Sequence, residues 1–254
     1  MKKTLEQILE GIKDSSFEYT FTNADGAPLD AFAEGAKNCT IENLVFDSRE
    51  VKPLSLFFAL PGTHTTGNKF ISQAIEKGAC AIVFQDEFSA EEKDAVRSAL
   101  QEANEKAGKD GREIVFVKVK SSRFAMSPIS ASFYDDPSSK LVIYGVTGTE
   151  GKSSTVSFIW QLLRLSGIKA GFISTVQYSL GGEAVNNPQH QTTPEAPVVQ
   201  MELYEMLLNG CTHAVVESSS HGLSERTNRL GDVKFDCALF MNVTLEHLEF
   251  HGTY

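Results

Sequence analysis

From about residue 54 onward, apolar runs rich in branched side chains alternate with segments whose apolar positions recur at helical spacing. Continuous apolar strands separated by amphipathic helices are what a parallel sheet needs, because its crossover helices cover both faces. The pattern therefore predicts an α/β protein throughout. In the first half, residues 54–60 (LSLFFAL) read as a buried strand followed by a PGTHTTG loop, and Phe70, Ile71, Ala74 and Ile75 mark a helix face that ends at Gly78. Residues 79–84 (ACAIVF) and 114–119 (IVFVKV) read as further strands, and the charged, alanine-rich stretch 86–112 between them as a solvated helix and loop.

A helical pattern over Ser121 to Tyr134 runs into DDPSS (135–139), whose acidic, Pro and Ser content marks a domain boundary. Two domains follow, 1–137 and 138–254. The second restarts with strand 141–147 (LVIYGVT), continues with strand candidates at 171–177, 213–218 and 236–242, and carries helices at 153–166 and 195–209. The Leu162/Leu163 and Met206/Leu207 faces are expected to pack against the sheet.

Composition narrows the function classes. With 41% hydrophobic and 22% charged residues the chain is ordinary globular material, and a net charge of −10 opposes broad binding to nucleic acid or anionic membrane. Any phosphate site must be local. No stretch approaches the roughly 20 apolar residues of a membrane span, and the N-terminal MKKTLEQILEGIKD is amphipathic rather than a signal peptide. Cys39, Cys80, Cys211 and Cys237 form no CxxC pair and read as reduced core cysteines of a cytoplasmic protein. His64, His190, His213 and His251 read as surface or internally satisfied histidines.

The segment GVTGTEGKSST (145–155) lies between a buried strand and a strongly apolar helix. A helix N-terminus there offers unpaired N–H groups and positive dipole to a phosphate. Gly148 and Gly151 allow close backbone approach, Lys152 can reach the β- and γ-phosphates, and the Ser153 hydroxyl can ligate Mg²⁺. The spacing departs from GxxxxGK[ST], because Val146 stands six residues before Lys152 and the preceding glycine comes one position too early.

The shorter form GTxGK[ST][ST] after a GVT strand resembles the ATP signature of the Mur ligases. DSREV (47–51), FFALPG (57–62) and GNKFISQAIEKGACAIV (67–83) resemble the N-terminal domain of UDP-N-acetylmuramoyl-tripeptide synthetases. QTTPE (191–195), VESSSHGL (216–223) and MNVTLEHLEFHGTY (241–254) resemble later segments of that family in the right order. The resemblance implies an N-terminal UDP-sugar-binding domain, then a mostly parallel ATP-binding sheet with flanking helices, incomplete at its C-terminus.

It also implies site roles. Ser48 and Arg49 would contact the UDP end of the substrate, with Thr65 and Thr66 as weaker candidates. Thr192, Thr193 and Ser219 would hold its muramoyl-peptide end. Gly148, Thr149, Glu150, Gly151, Lys152, Ser153, Ser154 and Asn242 would surround ATP. Ser153 and Glu217 would ligate one Mg²⁺ and His247 a second, which makes Lys152, Glu217 and His247 the catalytic set. The implied reaction converts the carboxylate of UDP-N-acetylmuramoyl-L-alanyl-D-glutamate to an acyl phosphate that a diamino acid then attacks. Such phosphoryl transfer relies on positioning and charge neutralisation, so SSSH (218–221) need not be a serine-hydrolase site.

Three departures stand out. Glu150 occupies a position that is usually neutral or imidazole; a carboxylate about 4 Å from a phosphate would cost on the order of 4 kcal/mol at an effective dielectric near 20, so it is expected to point outward. After SSHGL the family places an arginine for the substrate, and Arg226 and Arg229 both offer one, with Arg226 the nominal choice. Glu246 replaces an expected Asp. Family members are also longer, continuing to a metal-bridging lysine and a C-terminal domain that selects the amino acid. The expectation is thus a monomeric fragment unable to ligate alone, with a non-catalytic UDP-sugar- or nucleotide-binding module as the alternative.

Overall fold

Two compact units, Met1–Phe133 and Tyr134–Tyr254, make up the computed structural model. It describes residues 1–29, 34–62, 65–107, 113–188 and 191–252, so the readings of His64 and His190 lie outside the described residues.

In the first unit the elements are β1 (Lys3–Thr4), α1 (Leu5–Glu10), β2 (Tyr19–Thr22), α2 (Glu34–Asn38), β3 (Thr40–Ile41), β4 (Asn43–Val45), β5 (Ser55–Phe58), α3 (Ile71–Glu76), β6 (Ala79–Phe84), α4 (Ala90–Ala107), β7 (Val115–Val119) and α5 (Ser122–Phe133). Five strands form one sheet in the order β2-β7-β6-β5-β4, parallel from β4 to β7, with β2 antiparallel at its edge. Every residue of β6 is buried, as an unbroken apolar run in a central parallel strand must be. α4 is solvated on one side only, since Val96 and Ala99 enter the core beside Ile71, Ala74 and Ile75 of α3. Phe70 departs from the expected helix face: it lies in the 3₁₀ turn Gly67–Phe70 that precedes α3 and is 46% exposed.

The second unit runs β8 (Val142–Thr147), α6 (Lys152–Leu165), β9 (Ala170–Ile173), β10 (Gln177–Ser179), β11 (Val185–Asn186), α7 (Ala196–Leu208), β12 (His213–Glu217), α8 (Ser220–Leu223), β13 (Cys237–Phe240) and α9 (Leu248–His251). Its sheet order is β11-β10-β9-β12-β8-β13. The four strands β9, β12, β8 and β13 are parallel, and β10 and β11 return antiparallel. The single strand expected over 171–177 is thus two, because the chain turns at Ser174–Val176 to begin the return. Apolar clusters flank both sheet faces, one built around Leu203 and Met206 of α7, the other around Val156 and Trp160 of α6.

Two packing expectations are corrected. Leu162 is 63% exposed on α6 while Leu163 packs inward, and Cys237 is exposed on the edge strand β13, unlike the buried Cys39, Cys80 and Cys211. Edge position leaves one flank of a strand uncovered, which apolarity alone does not reveal.

Glu202 on α7 is mostly buried, its Oε2 has no hydrogen-bond partner among the described residues, and burial pushes its carboxyl up to about 7. A folded-state pKa above the unfolded value means the fold holds the proton more tightly, so stability falls as pH rises from about 4.5 to about 7 and levels off beyond. Glu202→Gln is expected to stabilise this unit by roughly 2–3 kcal/mol at pH 8 and much less at pH 5, by urea unfolding at both values. Equal gains at the two pH values would contradict the assignment.

Candidate functional site

The loop between β8 and α6 is shaped by two glycines that the sequence singles out. Gly148 has φ +139° and Gly151, which precedes α6, has φ +83°, conformations that side chains oppose. The strand-end segment after β13 closes over this loop. Asn242 accepts from Thr149 N with its carbonyl (3.0 Å) and from Glu150 N with Oδ1 (3.0 Å), and its Nδ2 donates to Glu150 O (3.1 Å). Thr244 N donates to Thr149 Oγ1 at 2.9 Å. Asn242 therefore holds the loop itself, a structural duty the motif did not suggest. The Glu150 side chain is exposed, as expected.

The Lys152 ammonium donates to the carbonyls of Gly148 (2.8 Å) and Thr149 (2.6 Å). An ammonium has three donors, so one remains for an incoming oxygen anion. Ser153, one residue on, donates from Oγ to Glu217 Oε1 at 2.9 Å. Ser154 lies beside it in the first turn of α6.

Glu217 ends β12 and is 1% exposed. Besides Ser153, its carboxylate accepts from Ser174 Oγ (2.5 Å), Thr175 N (2.9 Å) and Thr175 Oγ1 (3.1 Å). Burying a carboxylate is costly unless hydrogen bonds or a cation compensate it, and here four donors do so. Ser174 and Thr175 were not legible as functional: they sit at the β9 turn, and no motif marks them.

Thr193 is 1% exposed and turned beneath the neighbouring cleft. Its Oγ1 donates to Glu217 O (3.0 Å) and accepts from Ser219 N and Ser219 Oγ (both 3.0 Å), so it sets the chain that follows the carboxylate. Gly222 must be small here, since a Cβ would sit 2.6 Å from Thr193 Cγ2. Arg229 anchors the same segment, donating to Thr193 O (2.9 Å) and to Glu195 Oε1 (2.8 Å). Arg226 goes elsewhere: it donates to Phe250 O (2.8 Å) and lies over the Phe250 ring.

A cleft of about 430 Å³ gathers Gly148, Thr149, Lys152, Thr192, Ser219, Asn242 and His247. His221 packs edge-on against His247 and near His251, which approaches Ser220 Oγ at 3.0 Å. Burial, reinforced by those two histidines, holds His221 below the ordinary imidazole value. His247 Nδ1 lies 3.3 Å from Glu249 Oε1.

In the first unit, Ser48 and Arg49 line a separate cleft of about 580 Å³ with Phe46, Phe57, Phe70 and Gln73. Arg49 is clasped by Asp47, and its carbonyl accepts from Lys77 Nζ at 2.9 Å. Thr66 donates to Glu92 Oε1 at 2.6 Å, and Thr65 bonds Gly62 through its carbonyl.

A mostly parallel sheet with a glycine loop opening its first helix, a lysine and a hydroxyl on that loop, and a buried carboxylate one strand over define a phosphate-loop α/β class of protein. Residues 40–134 match the Mur ligase family catalytic domain and residues 146–254 the Mur ligase middle domain. The chain belongs to the Mur ligase family. It is 50% identical over 230 residues to the UDP-N-acetylmuramyl-tripeptide synthetase of Treponema denticola, covering 86% of this chain and 40% of that protein. It is 36% identical over 220 residues to the UDP-N-acetylmuramoyl-L-alanyl-D-glutamate–2,6-diaminopimelate ligase of Cytophaga hutchinsonii, covering 87% and 41%. The chain thus spans about two fifths of the length of these relatives. The fold is shared with a solved structure of a UDP-N-acetylmuramoyl-L-alanyl-D-glutamate–2,6-diaminopimelate ligase, at TM-score 0.63 and 22% identity over 92% of this chain and 42% of that one.

Proposed function

We propose that the chain supplies the UDP-sugar-binding and ATP-binding parts of a cytoplasmic, ADP-forming ligase of peptidoglycan synthesis. That enzyme adds a diamino acid to UDP-N-acetylmuramoyl-L-alanyl-D-glutamate. The observation that carries this reading is the buried Glu217 carboxylate meeting the Ser153 hydroxyl at the N-terminus of α6, beside a lysine whose ammonium keeps a donor in reserve. Carboxylate and hydroxyl oxygens are hard ligands, the set Mg²⁺ uses when phosphate oxygens and water complete its shell. His247, which lines the same cleft as Lys152, is assigned to a second ion.

When bound, Mg²⁺ neutralises charge on the phosphates. The chain's own residues do the rest. The α6 N-terminus offers backbone N–H groups to the phosphates, those of Thr149 and Glu150 being bonded to Asn242, which fixes the loop, and Lys152 offers its remaining ammonium donor to the transferring group. Thr192 and Ser219 line the cleft where the substrate carboxylate must lie for in-line attack, and Arg226 would reach the same substrate only by leaving Phe250 O. Thr193 and Arg229 act beneath them, holding that wall in place.

Calorimetric titration of the chain with Mg-ATP, and separately with UDP-N-acetylmuramoyl-L-alanyl-D-glutamate, tests the reading. Both are expected to bind, with Lys152→Ala abolishing the first and Ser48→Ala the second. ATP binding without sugar-nucleotide binding would remove the substrate assignment and leave a nucleotide-binding module.

A further inference from the structure

Helix α6 is apolar on two opposite faces. Val156, Ile159, Trp160 and Leu163 turn inward and pack against the sheet. Phe158, Leu162 and Leu165 turn outward and are between 63% and 85% exposed. Their spacing, four residues and then three, lines them up along one stripe of the helix. A surface helix normally buries one apolar stripe and gives the opposite face to polar residues, so a second stripe calls for a cover.

The stripe belongs to a wider patch. Phe158 lines a cleft with Val176, and Val185 follows Ala184, which packs beside Ile159 and Leu163. Val176 and Val185 are themselves exposed. These five apolar side chains together expose on the order of 500 Å², near the upper end of the largest patch on an ordinary monomer. The other exposed apolar group of this unit, Phe240, Val243, Leu245 and Leu248, lines the cleft around Lys152.

Charge decides what can cover the patch. The net charge of −10 repels a second copy over the surface at large. Between Lys152 and Arg164, however, α6 carries no charged residue, and Arg164 is paired with Glu183 at 3.2 Å. The stripe therefore offers nothing to attract an acidic or basic partner and nothing to repel its own image. Two copies meeting there would bury roughly 1,000 Å², the lower bound for a specific interface.

We infer that the outer stripe of α6 is a self-association surface, against which a second copy of this chain packs its own α6 antiparallel about a two-fold axis. Antiparallel packing opposes the two helix dipoles and keeps the two Lys152 ammoniums apart. A two-fold contact is self-complementary. Leu162 then faces Leu162 of the partner subunit, and Phe158 meets Leu165 of the partner subunit. The surface stands independently of the nucleotide reading and replaces the monomer that the resemblance implies.

Sedimentation equilibrium of the full chain is the test. The native chain is expected to move toward twice its monomer mass between about 1 and 100 µM. Leu162→Glu and Leu165→Glu should each weaken association by about tenfold or more. Both positions are exposed, so melts of dilute protein should stay unchanged. An equimolar mixture of Leu162→Glu and Leu162→Lys should associate about fivefold more tightly than either variant alone, because only the mixture sets opposite charges at the axis. A native chain that stays monomeric, or association that survives both glutamate variants, would overturn the assignment. A mixture no tighter than its components would overturn the two-fold pairing. Association lost only in Phe240→Lys would move the contact to the β13 edge and overturn it as well.

Discussion

Glu217→Ala is expected to destabilise the second unit by about 2–4 kcal/mol, because it strips the acceptor from four donors at once and an uncompensated buried donor costs about 1–3 kcal/mol. Ser174 is itself buried and bears the full penalty, whereas Ser153 and Thr175 are half-buried and regain water in part. That loss is a large share of the 5–15 kcal/mol typical of a domain. Glu217→Gln separates the two roles of the residue. It keeps the volume and one acceptor oxygen, so most of the stability should survive, while the removed charge is expected to weaken Mg-ATP by about 2 kcal/mol, roughly thirtyfold. Denaturant unfolding and nucleotide titration of both variants are the measurements. A glutamine variant that binds Mg-ATP like the native chain would take Glu217 out of the metal site.

Gly148→Ala is expected to be the most damaging single methyl in the loop. Its Cβ would lie 3.0 Å from the backbone N and O of Asn242 and from Met241 Cβ, atoms that can move only by lifting the chain end of β13. Backbone strain at φ +139° adds about 1–3 kcal/mol. Two other glycines divide the effect into parts. Gly167 has φ +78° with nothing near its Cβ position, so Gly167→Ala reports strain alone, about 1 kcal/mol. Gly182 has neither obstacle and should tolerate alanine. Thermal melts of the three variants should rank in that order, and ATP binding should fail only in the first. A Gly148→Ala protein that melts with Gly182→Ala would show that the loop and the Asn242 segment are not tightly coupled.

Regular elements were legible where period and apolar continuity agreed. The buried strands β6 and β12 and the helices α6 and α7 fall within a residue or two of their expected spans, because each has one environment on each side. Short edge pieces escaped: β2, β4, β10 and β11 are two to four residues long, too short for a period to show, and are held by their neighbours rather than by their own composition. Phe70 was misplaced for a related reason, since periodicity counts an aromatic as core and cannot tell a cleft wall from an interior. At the candidate active site, Lys152, Ser153 and Glu217 were visible because each sits in a motif. The grip of Ser174 and Thr175 on Glu217, and of Arg229 on Thr193, was not, since those contacts join segments 36 to 43 residues apart through hydroxyl and backbone groups that carry no pattern.

Asn242 has a consequence for the order in which the molecule comes together. The bonds that close the phosphate loop reach across 92 to 95 residues, so the loop cannot take its final shape until β13 has docked beside β8. Contacts this distant in the chain form late, after loop-closure entropy has been met. Nucleotide held by the finished loop would therefore draw on the docked strand alone, and by mass action would raise the population of molecules in which that strand is home. Hydrogen exchange of the Met241 amide, which donates to Thr147 O of β8 at 2.9 Å, in the presence and absence of nucleotide, would follow this assembly step directly.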